Sequence, residues 1–197
     1  MSANPEPKLA PPGAGLPKLE LHIGRLLFGL LRWTGNRESF NARFQQERKV
    51  IRELVRSCAA ASAACRVLIK RPNGLEDSSR YWSLWMTLDH LRIVNQEMAK
   101  VIGALTNSVV PPGKASTATV KPSPAVTASV VAEYEESCDA LLAAVAAAPN
   151  LTTAARFAHP WFGPLDAAGW HALAGGHMGI HRVQIERILK GLAAAKK

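Results

Sequence analysis

The sequence predicts an all-α helical bundle, and three observations carry that prediction. Apolar residues recur at helical spacing through several long segments. Period-2 alternation is absent, so no strand is expected. Alanine is abundant while aromatic residues make up only 6% of the chain, a balance that suits packed helices better than sheets. At 197 residues the chain fits one domain with tails and is long enough to bury a core.

Residues 1–18 contain Pro5, Pro7, Pro11, Pro12 and Pro17 and read as a disordered arm, or one laid loosely on the surface. A single domain is expected over residues 19–195. Its first helix, Leu19–Trp33, is an addition to a core bundle over residues 37–192, and Thr34-Gly35-Asn36 breaks it. Asn36 is positioned to cap the next helix, with Glu38 in the first turn where the macrodipole favours a carboxylate. That helix is expected from Arg37 to about Cys65, with Phe40, Phe44, Ile51 and Leu54 on its apolar stripe. After the turn at Pro72-Asn73-Gly74, Asp77-Ser78-Ser79 is expected to cap a helix from Ser79 to Asn107, buried along Leu84, Leu91, Met98 and Ile102.

Residues 108–126 are rich in Pro, Ser, Thr and Lys. They read as the long crossover between bundle helices two and three, because neither side alone holds a full set of helices. The third bundle helix starts at Thr127 or Ser129 and runs to about Ala148, where Pro149-Asn150 stops it. Residues 151–164 are expected to be irregular. Asp166 then caps the last helix, which runs to about Leu192.

The candidate chemistry lies on that last helix. His177 and His181 are four residues apart, so they stack on one face with about 5–6 Å between Cβ atoms. Trp170, Leu173, Ile180, Gln184, Ile185 and Ile188 share the face, and Arg182, Glu186 and Lys190 lie opposite. Two inward imidazoles at this spacing can hold a divalent metal or be hydrogen-bonded core residues. His90, at the edge of the buried face of its helix, offers a third ligand; three neutral histidines leave a coordination position open. Glu97 lies on the same side as His90. Gly175, Gly176 and Gly179 flank the pair, which implies either a close neighbouring helix or room for a ligand. His171 lies about 120° round the helix from His177 and is not expected to reach the same metal. His159 is read as positioning the last helix or reaching the site, and His22 as a surface or packing residue.

The net charge is +9, and residues 1–75 carry thirteen Lys/Arg against five Asp/Glu. These cations are scattered along helices rather than clustered, so they read as solvated faces and no nucleic-acid partner is expected. Cys58, Cys65 and Cys138 are odd in number and lack paired spacing, which points to reduced, mostly buried thiols in a cytoplasmic protein. No signal peptide or membrane span is read. Leu19–Trp33 is too short for a span and Arg25 and Arg32 interrupt it. Packing on the bundle is favoured for it over contact with a membrane surface, and a homodimer contact stays open. Walker-type loops, GxSxG and HExxH are absent.

Two stretches carry a resemblance. His159-Pro160-Trp161-Phe162-Gly163-Pro164-Leu165, followed by Trp170, His177-Met178-Gly179-Ile180-His181, Arg182 and Gln184, resembles the DinB-like (YfiT-like) superfamily of four-helix bundles. The similar branch carries an HP-x-FG-x-L segment and an HxxxH last helix. Thr87-Leu88-Asp89-His90-Leu91-Arg92 matches that family's second helix. The resemblance covers roughly residues 37–192 and implies one metal held by His90, His177 and His181. It also implies thiol-dependent transferases and isomerases, with a low-molecular-weight thiol made acidic by nickel, zinc, iron or manganese; metal-dependent hydrolysis is the other use. Arginines near the mouth would then bind the thiol's carboxylates. The alternative is a non-catalytic binding or stress-response bundle, its histidines structural and its cleft filled by Trp85, Met86 or Trp170.

Overall fold

The structure, a computed structural model, describes residues 6–195. Its helices are α1 (Lys18–Thr34), α2 (Arg37–Ser57), the single turn α3 (Ala60–Ala63), α4 (Leu84–Thr106), α5 (Val130–Ala147) and α6 (Ala167–Ala194). The bundle is made of α2, α4, α5 and α6. α4 packs against α5 and α6, and α2 packs against α6. The remaining side, between α2 and α5, is bridged by long side chains: buried Arg48 pairs with Glu135 and Asp139, each at 2.6 Å, and Arg52 shares Glu135. A buried guanidinium is tolerated here because it donates hydrogen bonds to both carboxylates and to the Glu135 carbonyl. The apolar core runs through Phe44, Ile51, Leu88, Leu91, Ile102, Leu141, Val145, Met178 and Ile185, of which Phe44, Ile51, Leu91, Ile102 and Ile185 lie on the stripes read from helical spacing.

Two of the predicted caps form. The Asn36 side chain accepts from the Ser39 amide while Ser39 Oγ accepts from the Asn36 amide, a reciprocal box that fixes the start of α2. Asp166 accepts from the Gly169 amide at the start of α6.

Elsewhere tertiary contacts override the local reading. α2 stops at Ser57 rather than near Cys65, because Cys58 turns extended and α3 takes up only one turn. α4 starts at Leu84, capped by Ser83, and not at Ser79. The reason is strand pairing that is too short to leave a periodic signature. β1 (Val67–Leu68) and β2 (Tyr81–Trp82) pair antiparallel, with Val67 opposite Trp82. They frame a second small core of Ile69, Leu75 and Ile188. Asp77, freed from capping, accepts from the Ala10 amide and from Arg80. A second pair, β3 (Phe157–His159) with β4 (Gly163–Leu165), folds the segment expected to be irregular into a hairpin. Its turn uses Gly163 at a φ of +72°, where glycine carries no Cβ penalty.

α1 lies along α6. Phe28 packs on Phe162 at 4.5 Å, Arg25 Nε donates to the Trp161 carbonyl, Arg32 bonds Asp166, and Glu20 pairs with Arg71. The other face of α1 stays in solvent, with Leu26 75% and Trp33 84% exposed. No helix is long and apolar enough to cross a membrane among the described residues. Part of the preceding arm is tied down: the Gly13 and Gly15 amides donate to Glu76. Its first five residues lie outside the described residues.

The glycines of α6 divide by neighbour. A Cβ on Gly175 would stand 3.0 Å from Arg43 Cγ and 3.3 Å from the Phe44 backbone nitrogen, and one on Gly179 would stand 3.0 Å from a Glu47 carboxylate oxygen. These two let α2 lie close against α6. Gly176 has open space around it. Gly176→Ala is therefore expected to raise unfolding free energy by ~0.5–1 kcal/mol. Gly175→Leu, which forces α2 outward, is expected to lower it by ~1–3 kcal/mol. Urea denaturation of the two variants checks both signs.

Candidate metal centre

α4 and α6 face one another, and the facing residues are His90 on α4 and His177 and His181 on α6. Ring nitrogens of the three lie within 4.8 Å of one another. His90 Nε2 is 3.1 Å from His177 Nε2, and the His181 ring centroid is 4.5 Å from each of the other two. The spacing of four on α6 and the position of His90 at the edge of its buried face thus meet at one point.

The hydrogen bonds behind the rings decide which nitrogen is available. His90 Nδ1 sits 2.6 Å from the carbonyl of Val120 on the crossover, so it carries the proton and Nε2 keeps a lone pair. His181 Nδ1 sits 2.6 Å from Gln184 Oε1. The amide of Gln184 is itself oriented, because its Nε2 donates to the Ser79 carbonyl. His181 therefore also presents Nε2. Such partners fix tautomer and ring direction in metal-binding histidines. His177 Nδ1 is buried with no partner, and its Nε2 points at that of His90. Two such nitrogens 3.1 Å apart need a proton or a cation between them. The donor set fits a divalent ion: three neutral imidazoles converging, with the open side toward a cleft.

Burial keeps the rings neutral. Loss of solvent pushes His90 down to about 4 and holds His177 and His181 well below the usual imidazole range. Neutral rings are the form that binds metal. Trp82 stands behind them, its ring parallel to His181 at 6.2 Å and 5.2 Å from His90. Lys121 lies over the other part of that tryptophan and is neutralised by Glu76, at 2.9 Å.

The rings open into a cavity of about 560 Å³ between α4, the crossover and the β3–β4 hairpin. Asp89, one residue before His90, accepts from the Ser123 amide and so clamps the crossover to α4. Glu97 lines the cavity but pairs with Lys100 at 2.7 Å and is not among the converging groups. His159 also lines it. Its Nδ1 accepts from the Trp161 amide, its ring packs edge-on to Trp170, and burial holds it at about 4. It stands outside the three-histidine cluster. His171 turns away as expected: Nε2 meets Asn41 Oδ1 at 3.0 Å on the α2 side. His22 is an exposed residue bonded to the Lys18 carbonyl.

Two expectations are corrected. No arginine lines the cavity among the described residues; its cations are Lys100, Lys114 and Lys121. The arginines are drawn into ion pairs elsewhere, such as Arg92 with Asp89 and Arg182 with Glu47. Of the three cysteines only Cys138 is buried, and burial pushes its thiol up to about 12; Cys58 is half-buried and Cys65 exposed. Sequence reasoning missed Trp82, placed in a strand too short to recognise, and Val120, a backbone partner that no side-chain pattern announces. Gln184 was on the right face but carried no sign of its role beyond its spacing of three from His181.

A four-helix bundle with three inward histidines on two facing helices is a recognisable class. The chain belongs to the DinB superfamily, whose family model matches residues 33–185. Among solved structures, that of TT2238, a four-helix bundle protein, is similar to it in fold, with a TM-score of 0.56 and 22% identity over 77% of this chain and 98% of that one. No curated protein matches.

Gln184→Leu frees His181 to rotate and is expected to weaken zinc binding by about 10–100-fold, as read by calorimetric titration. Acid should destabilise the metal-free protein. Buried His90 and His171 and half-buried His159 are held at about 4 and an unfolded histidine titrates near 6.5, so the unfolded chain binds more protons below that value. Stability is full above about pH 6.5 and falls as pH drops toward 4. The urea midpoint is expected to be lower at pH 5.5 than at pH 7.5; equal midpoints would contradict the neutral burial of these rings.

Proposed function

We propose that the chain is a metal-dependent enzyme in which His90, His177 and His181 hold one divalent ion. Nickel, zinc, iron and manganese all suit three imidazoles, because ligand type does not separate them. The reaction class is group transfer to or from a low-molecular-weight thiol, or hydrolysis by water. Such an ion, when bound, lowers the pKa of a thiol or water that it coordinates and so supplies a nucleophile at neutral pH.

The observation that supports this reading over a non-catalytic bundle is the open space beside the rings. Trp85 and Met86 stand outside the cavity lining, and Trp170 forms a wall rather than a plug. The chain's own residues then have distinct tasks. The Val120 carbonyl and Gln184 hold His90 and His181 with Nε2 forward. Trp82 and the crossover exclude water from behind the rings. His159, with Nδ1 occupied by the Trp161 amide, presents an N–H donor rather than a base. The three cysteines, none of them in a disulfide and one exposed, fit a reducing compartment, the cytoplasm.

Metal content by elemental analysis tests the reading, on untagged protein purified without added metal. About one ion per chain is expected, falling to near none in His177→Ala/His181→Ala with helicity retained. A wild type that stays empty after exposure to nickel, zinc, manganese and anaerobic ferrous iron would make these histidines structural.

A further inference from the structure

The walls of the cavity say what kind of molecule it takes. One side is the apolar stripe of α4: Val94, Met98, Val101 and Ala104 follow one another away from His90 at helical spacing. The facing side is aromatic, built from Phe157, Trp161 and Trp170 of the hairpin and α6. Val109 and Pro112 of the crossover close the outer end.

Most of the polar groups in the lining are already used, and the one lining cation without an ion pair among the described residues, Lys114, is an exposed side chain of the crossover. Glu76 accepts from Gly13, Gly15, Thr117 and Lys121. Lys121 also donates to Ser78 and Ser79. Thr119 bonds the Ser116 carbonyl, and Glu97 and Lys100 satisfy each other. A sugar-bearing or peptide thiol entering this space would bury hydroxyls, amides and carboxylates against carbon, with no arginine among the described lining residues and only the exposed Lys114 to meet a carboxylate. A hydrocarbon surface would instead displace water from carbon on both sides.

We infer that the cleft binds a molecule with an apolar aliphatic or aromatic body and a single polar head group, the head at the three histidines and the body running along Val94, Met98 and Val101. The hydrophilic cofactor thiols implied by the family resemblance do not match this lining; the substrate, or the thiol if one is used, is itself apolar. The direction of the head rests on the proposed metal centre, whereas the apolar body rests on the walls alone.

The test uses full-length metal-free protein labelled with 13C at its methionine methyls. Met98 lines the cavity and Met178, buried in the core, serves as an internal reference. 1-Octanol is expected to shift the Met98 signal saturably and leave Met178 in place. It should bind at least about 30-fold more tightly than 1-propanol, the ratio expected when half of its five extra methylenes leave water at ~0.8 kcal/mol each. Glutathione at the same concentrations is expected to leave Met98 unmoved. Ala104→Phe, which fills the cleft from a half-buried position, should abolish the octanol shift, and Val109→Asp on the exposed crossover should weaken it about 10-fold. The inference is overturned if octanol leaves Met98 unmoved, if its shift survives in both variants, or if glutathione moves Met98 at lower concentration than octanol. Metal content is measured separately on the same preparations, so an empty metal centre and a cleft that rejects octanol are distinct failures.

Discussion

Everything at the centre depends on how near α6 lies to α2. α6 has to serve two neighbours at once, α2 on one side and α4 on the other. Gly175 and Gly179, without side chains, meet Arg43, Phe44 and Glu47 of α2 at contact distance. His177 and His181, interleaved with them, face α4. Were α6 held away from α2 by a row of methyl groups, its other face would press into α4 and the gap between His90 and His177 would not be kept. The close approach on one face thus sets the width available to the rings on the other, and the ion pair between Arg182 and Glu47 holds the same two helices at the level of His181. Close-packed interiors carry such displacements rather than absorb them.

The crossover between α4 and α5 is the second determinant. A long connection with little secondary structure is usually free to vary, yet this one is fixed at Asp89, His90 and Glu76 through Ser123, Val120, Thr117 and Lys121. It orients a candidate ligand and forms the outer wall of the cleft in one stroke. Pocket shape and ring orientation are therefore coupled: a change in the crossover that alters what fits in the cleft also alters the tautomer that His90 presents.

The sequence was most legible where a signal repeats or is local. Helical spacing placed Leu91, Met98, Ile102, Ile185 and Ile188 inward, and Asn36 and Asp166 announced their caps because a cap is decided within three residues. The three histidines were legible for the same reason, since two lie on one face of one helix and the family resemblance added the third. What could not be read were features made by residues distant in sequence. Val67 meets Trp82 in pairs too short to show alternation, and this delays α4. The wall of the cleft depends on a backbone carbonyl at Val120. The arginines expected at its mouth were claimed by carboxylates elsewhere, an outcome decided by the whole fold.

The placement of both the glycine face and the histidine face on α6 has a consequence for how the chain is made. α4 and α5 are near one another in sequence and can pair as soon as both have been synthesised. α2 cannot: its contacts with α6, such as Asn41 with His171, span 130 residues. Until α6 leaves the ribosome, Phe40, Phe44 and Ile51 of α2 lack their main packing partner, and His90 stands without its companions. The half of the bundle that carries the candidate metal centre is thus the last to close, and the stripe of α2 stays open to chaperones during that interval.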